Sequence, residues 1–182
     1  MPIVYLGLGS NLGDRQANIE TALARLGEVP GISVQQVSDL RETTAVGGPP
    51  QGPYLNGVCR IACALTPHGL LSVLKTIEAE AGRDHGAPRN SPRPVDLDIL
   101  LFGDRILADQ DLTIPHPGLL LRDFMLVPLI EIAPYARHPG RGQPVRLLDG
   151  ELRYRQIVER RQAPGPAPTA GKIPCTKREN SP

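Results

Sequence analysis

Apolar runs along the chain are separated by glycine- and proline-rich breaks, and the period of each run distinguishes strands from helices. Residues 2 to 8 read as a buried strand that runs into Gly7-Leu8-Gly9-Ser10-Asn11-Leu12-Gly13-Asp14. Asp14 suits a helix N-cap, because Ile19, Ala22, Leu23 and Leu26 recur at helical spacing on one face; Gly27, Pro30 and Gly31 close that helix. Ile32, Val34 and Val37 begin a second strand reaching about Leu40. A Thr-, Gly- and Pro-rich loop then runs from Thr43 to Pro53, and ordered loops of that length usually carry function.

Residues 54 to 64 predict a third strand. Thr66 and Pro67 supply an N-cap and a first helical position, and Leu70, Leu71, Leu74, Ile77, Glu78 and Ala81 continue a helix that stops at Gly82. Val95, Leu97, Ile99, Leu100 and Leu101 read as a central strand. The order is β-α-β-β-α-β. It predicts the α+β class and a ferredoxin-like βαββαβ fold, an antiparallel sheet with two helices on one face, plus C-terminal additions. Among those additions, 103 to 112 read as a hairpin or loop, Asp123 to Ile132 as a short helix despite Pro128, and Gln156 to Arg161 as the end of another. One domain over 1–162 is expected, with 163–182 a disordered Pro/Gly-rich tail that lacks the apolar periodicity packing requires.

Bulk properties narrow the function classes. The chain has 182 residues, 40% of them hydrophobic, which suffices for one real core. Twenty basic against nineteen acidic residues leave a net charge of +1, so no overall field draws nucleic acid or an anionic membrane. No apolar run approaches the roughly 20 residues of a membrane helix, and Met1-Pro2-Ile3-Val4-Tyr5 begins a strand where a secretion signal would be charged and then apolar. A cytoplasmic monomer is expected. Cys59 and Cys63, about 13 Å apart on a strand, read as buried small residues that no disulfide joins, and Cys175 stands alone.

The candidate chemistry lies in Pro92-Arg93-Pro94-Val95-Asp96-Leu97-Asp98-Ile99. Side chains two apart on a strand share a face at about 6 to 7 Å, so Asp96 and Asp98 converge within an otherwise apolar strand. Two unpaired anions there would repel, and hard Mg²⁺, which takes one or two carboxylates plus phosphate oxygens, is the leading counterion. Arg83, Arg89 and Arg93 precede the pair in an interrupted loop and suit a polyphosphate. The Gly7-x-Gly9-x-x-x-Gly13 spacing fits dinucleotide binding poorly, because the third glycine comes one residue late and no βαβ crossover follows. A turn packing the first strand near the site, with Ser10 and Asn11 as local hydrogen-bonding groups, is the better reading. A metal-dependent nucleotidyltransferase would need Gly9-Ser10 close to the Asp-x-Asp pair in sequence, and more than eighty residues separate them.

Together, Gly7 to Asp14, Tyr54-Leu55-Asn56, Glu78 through Gly82-Arg83, Pro92 to Leu100, Ile114-Pro115-His116-Pro117, Arg122-Asp123-Phe124 and Pro128-Leu129 resemble the 6-hydroxymethyl-7,8-dihydropterin pyrophosphokinase family, over roughly residues 3 to 138. The resemblance implies diphosphate transfer from ATP to hydroxymethyldihydropterin in folate biosynthesis. Asp96 and Asp98 would hold two Mg²⁺ ions bridging the ATP phosphates. It places Arg83, Arg89, Arg93 and Arg122 on the phosphates, and Glu78, Ile99, Thr113 and His116 near the nucleotide. It makes Tyr54 and Phe124 the stacking partners of the pterin and Asn56 the partner of its amide edge, with backbone groups near Thr43, Val46 and Gly47 completing recognition. Three positions depart from the family pattern: Ala45 in Thr43-Thr44-Ala45-Val46-Gly47, His85 two after Arg83, and Asn90 after Arg89. A nucleotide- or pterin-binding module without chemistry is the competing class, against which the intact acids, arginines and His116 argue.

Overall fold

The computed structural model of the chain describes residues 1–45, 50–83, 86 and 91–158. Val46, Gly47, Arg89, His85, Asn90, Cys175 and the tail expected over 163–182 lie outside them. In chain order the core elements are β1 (Ile3–Ser10), α1 (Arg15–Gly27), β2 (Ile32–Val37), β3 (Arg41–Thr43), β4 (Tyr54–Cys63), α2 (Pro67–Glu80) and β5 (Asp96–Phe102). Local chemistry sets the helix starts: Asp14 accepts from the Ala17 N–H at 3.1 Å and Thr66 from the Gly69 N–H at 3.1 Å, each satisfying a donor the helix leaves open.

The sheet runs β2-β4-β1-β5, with β3 pairing the near end of β4, and every pairing among these strands is antiparallel. On one face Val4, Leu6, Leu8, Cys59, Ile61, Leu97 and Ile99 pack on Ile19, Ala22 and Leu26 of α1 and Leu70, Leu74 and Ile77 of α2. The other face is also covered. There Val58 and Leu100 meet α3 (Asp123–Ile132) through Met125, Leu126 and Leu129, backed by Val145 and Leu148. The sheet is thus the middle of three layers, where the sequence suggested helices on one face. The helix over 123–132 forms as expected around Pro128, and the 103–112 region is the start of a hairpin, β6 (Leu107–Ala108) with β7 (Thr113–Ile114). A second small ladder joins β8 (Arg137–His138) and β9 (Gln143–Pro144).

Several expectations are corrected. The strand carrying Asp96 and Asp98 is an edge strand, although its apolar content read as central. Its edge is covered instead: the Leu97 N–H donates to the fully buried carboxylate of Glu78 at 2.8 Å, and the His116 N–H donates to the Leu100 carbonyl at 3.0 Å. These contacts satisfy the backbone groups that an open edge would expose. Gly7 and Gly9 lie inside β1, outside any turn. The second strand stops at Val37, and β3 forms separately where the functional loop was expected to begin. Gln156 to Val158 form no helix, because Ile157 bridges to Thr43 in extended geometry. Cys59 and Cys63 are free and buried, as expected. Among the described residues no helix is long and apolar enough to cross a membrane.

Candidate active site

Two glycines make the floor. On the face turned to α3, Gly7 pairs with Asp98 and Gly9 with both Asp96 and Asn56. A Cβ at residue 9 would stand 2.8 Å from Asn56 Oδ1, and one at residue 7 would stand 3.4 Å from Leu100 Cδ2. Glycine therefore leaves a bare stripe of sheet between the acids of β5 and the amide of β4.

The acids sit among cations. Asp96 pairs through Oδ1 with Arg83 Nη1 at 2.7 Å and through Oδ2 with Arg93 Nη1 at 3.2 Å. Arg83 Nη1 is also 2.6 Å from Glu78 Oε1, while Lys75 Nζ lies 2.8 Å from Glu78 Oε2. Glu78 thus holds two cations at the cavity wall and caps β5 with the same carboxylate. Asp98 receives no hydrogen bond or ion pair from the described residues. Burial, reinforced by the charges of Asp96 and Glu78 and opposed by Lys75 and Arg83, pushes its carboxyl up to about 7. A half-buried acid whose neighbouring cations are already engaged by Asp96 and Glu78 invites a cation of its own.

His116 is held in one form. Its Nδ1 accepts from the Gly118 N–H at 3.0 Å, so the neutral ring carries its proton on Nε2. Desolvation and the Arg122 charge, against the pull of Asp96, lower its pKa to about 4. The Arg122 guanidinium lies 5.6 Å from the Phe124 ring centroid, within cation–π range. Asn56 Nδ2 donates to Thr43 Oγ1 at 2.6 Å, orienting the amide across β3 and β4. Asn11 acts over long range where a local role was expected: its N–H and Oδ1 bind the Arg93 backbone at 3.2 and 2.8 Å, and its Nδ2 donates to Gln51 Oε1 at 2.6 Å.

One cavity is lined by Arg83, Arg93, Asp96, Asp98, His116, Arg122, Thr43, Tyr54, Asn56 and Phe124, which sequence reasoning had singled out. Glu78, Ile99 and Thr113 do not line it: Glu78 acts through Lys75 and Arg83, Ile99 packs beneath the sheet, and Thr113 is exposed on the β6-β7 hairpin. Sequence reasoning missed Lys75, Gln51 and Gln156, which also line the cavity. Lys75 alone left a signal, standing one helical turn before Glu78 on α2.

Residues 5–134 match the family model described as 7,8-dihydro-6-hydroxymethylpterin-pyrophosphokinase (HPPK). The chain belongs to the HPPK family. Among curated relatives, the 2-amino-4-hydroxy-6-hydroxymethyldihydropteridine pyrophosphokinase of Aquifex aeolicus is 40% identical over 146 residues, 80% of this chain and 89% of that protein. The protein of the same name from Synechocystis is 41% identical over 77% of this chain and 71% of its own length. The folic acid synthesis protein fol1 of Schizosaccharomyces pombe is 42% identical over 79% of this chain, and the match spans only 20% of that longer protein. The fold is shared with the wild-type HPPK-DHPS crystal structure from Plasmodium falciparum at a TM-score of 0.62 and 16% identity, over 83% of this chain and 43% of that one. Mixed α/β architecture with an antiparallel sheet is therefore common to the family and this chain.

Proposed function

We propose that the chain transfers diphosphate from ATP to 6-hydroxymethyl-7,8-dihydropterin, releasing AMP, in folate biosynthesis. The carrying observation is the single cavity that unites Asp96, Asp98 and three arginines with Phe124, Tyr54 and Asn56. A triphosphate suits the charged end, and a flat ring with an amide edge suits the other. Aromatic contacts of this kind contribute about 0.5–1.5 kcal/mol beyond burial. Asn56, its N–H committed to Thr43, keeps Oδ1 as acceptor for the pterin's amide edge.

The donor set fits two Mg²⁺ ions held by Asp96 and Asp98. Among the described residues no group of three or more His, Cys, Asp or Glu side chains forms a closed metal cage, so substrate oxygens would complete the coordination, as Mg²⁺ prefers. When bound, the ions supply charge neutralisation on the phosphates. Arg83, Arg93 and Arg122, with Arg89 from the family pattern, bind and orient the polyphosphate. Neutral His116 offers Nε2–H as a donor near the nucleotide, with Glu78, Ile99 and Thr113 supporting that side. Thr43 borders the pterin end of the cavity, and the family pattern adds Val46 and Gly47 to pterin recognition. The pterin hydroxyl attacks the β-phosphorus in line, and the bond to the α-phosphate breaks; positioning carries most of the acceleration. The β2-β4-β1-β5 order supports the ferredoxin-like description of the core.

An ATP-to-AMP assay with hydroxymethyldihydropterin and Mg²⁺ tests the reading. AMP formation dependent on both supports it; binding of both ligands without AMP favours the non-catalytic module.

A further inference from the structure

The last described segment, residues 153–158, borders the cavity through Gln156 and is tied at both ends. At one end, the Tyr154 N–H donates to the Leu121 carbonyl at 2.9 Å, and the Asp123 N–H to the Tyr154 carbonyl at 3.2 Å. At the other, the Thr44 N–H donates to the Gln156 carbonyl at 2.9 Å and the Val158 N–H to the Glu42 carbonyl at 2.8 Å. Between them, the buried Asp123 carboxylate accepts the Gln156 N–H at 2.8 and 2.9 Å and the Ile157 N–H at 3.1 Å. The Gln156 side chain, itself buried, donates from Nε2 to the Thr44 carbonyl at 3.1 Å and lines the cavity.

These bonds form a continuous path. Asp123 stands next to Phe124 in sequence, fixes Gln156, and Gln156 fixes Thr44 by backbone and side chain. Thr43 follows, bridged to Ile157, and its Oγ1 takes the Asn56 N–H at 2.6 Å. The aromatic ring and the amide assigned to the pterin are therefore spaced by this strap. It lies beyond residues 5–134, which the family model matches.

We propose that Gln156, anchored by Asp123, is a positioning residue that sets the spacing of the pterin subsite and so its specificity. The inference rests on the pyrophosphokinase reading. The strap meets the phosphate end only where Tyr154 bridges Arg122, away from the Gln156 side chain, so the Gln156 contacts act on pterin binding rather than on nucleotide binding.

The test compares Gln156→Ala and Asp123→Asn with the wild-type chain in the AMP-forming assay, varying ATP and hydroxymethyldihydropterin separately, with thermal melting as a fold control. Gln156→Ala removes only the side-chain bond, and a lost buried hydrogen bond of this kind raises the pterin KM about three- to tenfold. The KM for ATP and kcat stay within about twofold, a split that general loosening of the fold would not produce. Asp123→Asn, whose NH₂ faces two backbone N–H groups, gives the larger effect in the same direction. Unchanged pterin KM in Gln156→Ala, or an equal rise in the KM for ATP, overturns the proposal even if Asp123→Asn fails to fold. Wild-type chain that makes no AMP sinks the enzymatic reading and this inference with it, whereas active wild type with insensitive variants sinks the inference alone.

Discussion

Replacing Asp98 with Asn should stabilise the free protein while abolishing turnover. The Asp98 carboxyl is raised from 3.8 to about 7 by burial and by the neighbouring charges of Asp96 and Glu78. Three pH units at ~1.4 kcal/mol each set a ceiling of about 4 kcal/mol on what ionising Asp98 costs the fold. The sign follows from proton counting. Below pH 3.8 both states hold the proton; between 3.8 and 7 the unfolded chain releases it while the folded one keeps it, so stability falls as pH rises; above 7 both are ionised and the loss is complete. Asn keeps the shape without the charge but still needs hydrogen bonds, so the net gain at pH 8 should be about 1–3 kcal/mol, or roughly 5 °C in melting temperature. Melting without magnesium is followed from pH 4 to 8. The variant's advantage should be near zero at the acid end and full at pH 8. Adding magnesium with a non-hydrolysable ATP analogue should stabilise the wild type and leave the variant behind. Parallel pH curves for the two proteins, or wild-type-like AMP formation by the variant, would refute the reasoning.

Glu78→Ala strips the acceptor from the Leu97 N–H and leaves Lys75 and Arg83 without their buried partner, which should cost about 3–5 kcal/mol, read as a lower urea midpoint. Gly9→Ala puts a Cβ 2.8 Å from Asn56 Oδ1; the amide must turn away, and the pterin KM should rise at least about tenfold by loss of a hydrogen bond the site is built to make, with unchanged KM counting against the glycine floor. His116 should stay neutral to near its folded value of about 4, against 6.5 in the unfolded chain. Its contribution to stability is therefore present above 6.5 and lost as pH falls towards 4, and an NMR titration of the ring with a midpoint near 6.5 would contradict the desolvated, Gly118-bonded arrangement.

What the sequence made legible was local. The caps at Asp14 and Thr66, the two helical faces and the period of each strand all depend on residues a few positions apart, so pattern alone reveals them. The Asp96/Asp98 pair was legible for the same reason, since residues two apart must share a strand face. Edge or central position is not a local property. β5 carries apolar residues on both faces because helices cover both, and its free backbone edge is closed by Glu78 from α2 and by the His116 backbone, contacts that leave no periodic trace. The strap at Gln156 was misread as helix for a related reason: its geometry is dictated by Asp123 and Thr44, 33 and 112 residues away. Tertiary hydrogen bonds overrode a weak local preference there.

The cavity occupies a region where this sheet departs from what stability favours. Glycines inside a strand forgo packing and add chain entropy to the unfolded state, and acids on a covered strand repel each other. Both departures fall on the same stretch of β1 and β5, facing one another at Gly7–Asp98 and Gly9–Asp96. The compensations converge there as well: Arg83 and Arg93 on Asp96, Glu78 on Arg83 and Lys75, and Asn11 on the Arg93 backbone. If the acids served the fold alone, neutralising both would be the simplest route to stability, yet among the described residues only Asp96 is paired. Asp98, half-buried and without a partner among the described residues, is the residue whose cost a bound cation would remove, and that asymmetry ties the architecture of the sheet to the chemistry assigned to it.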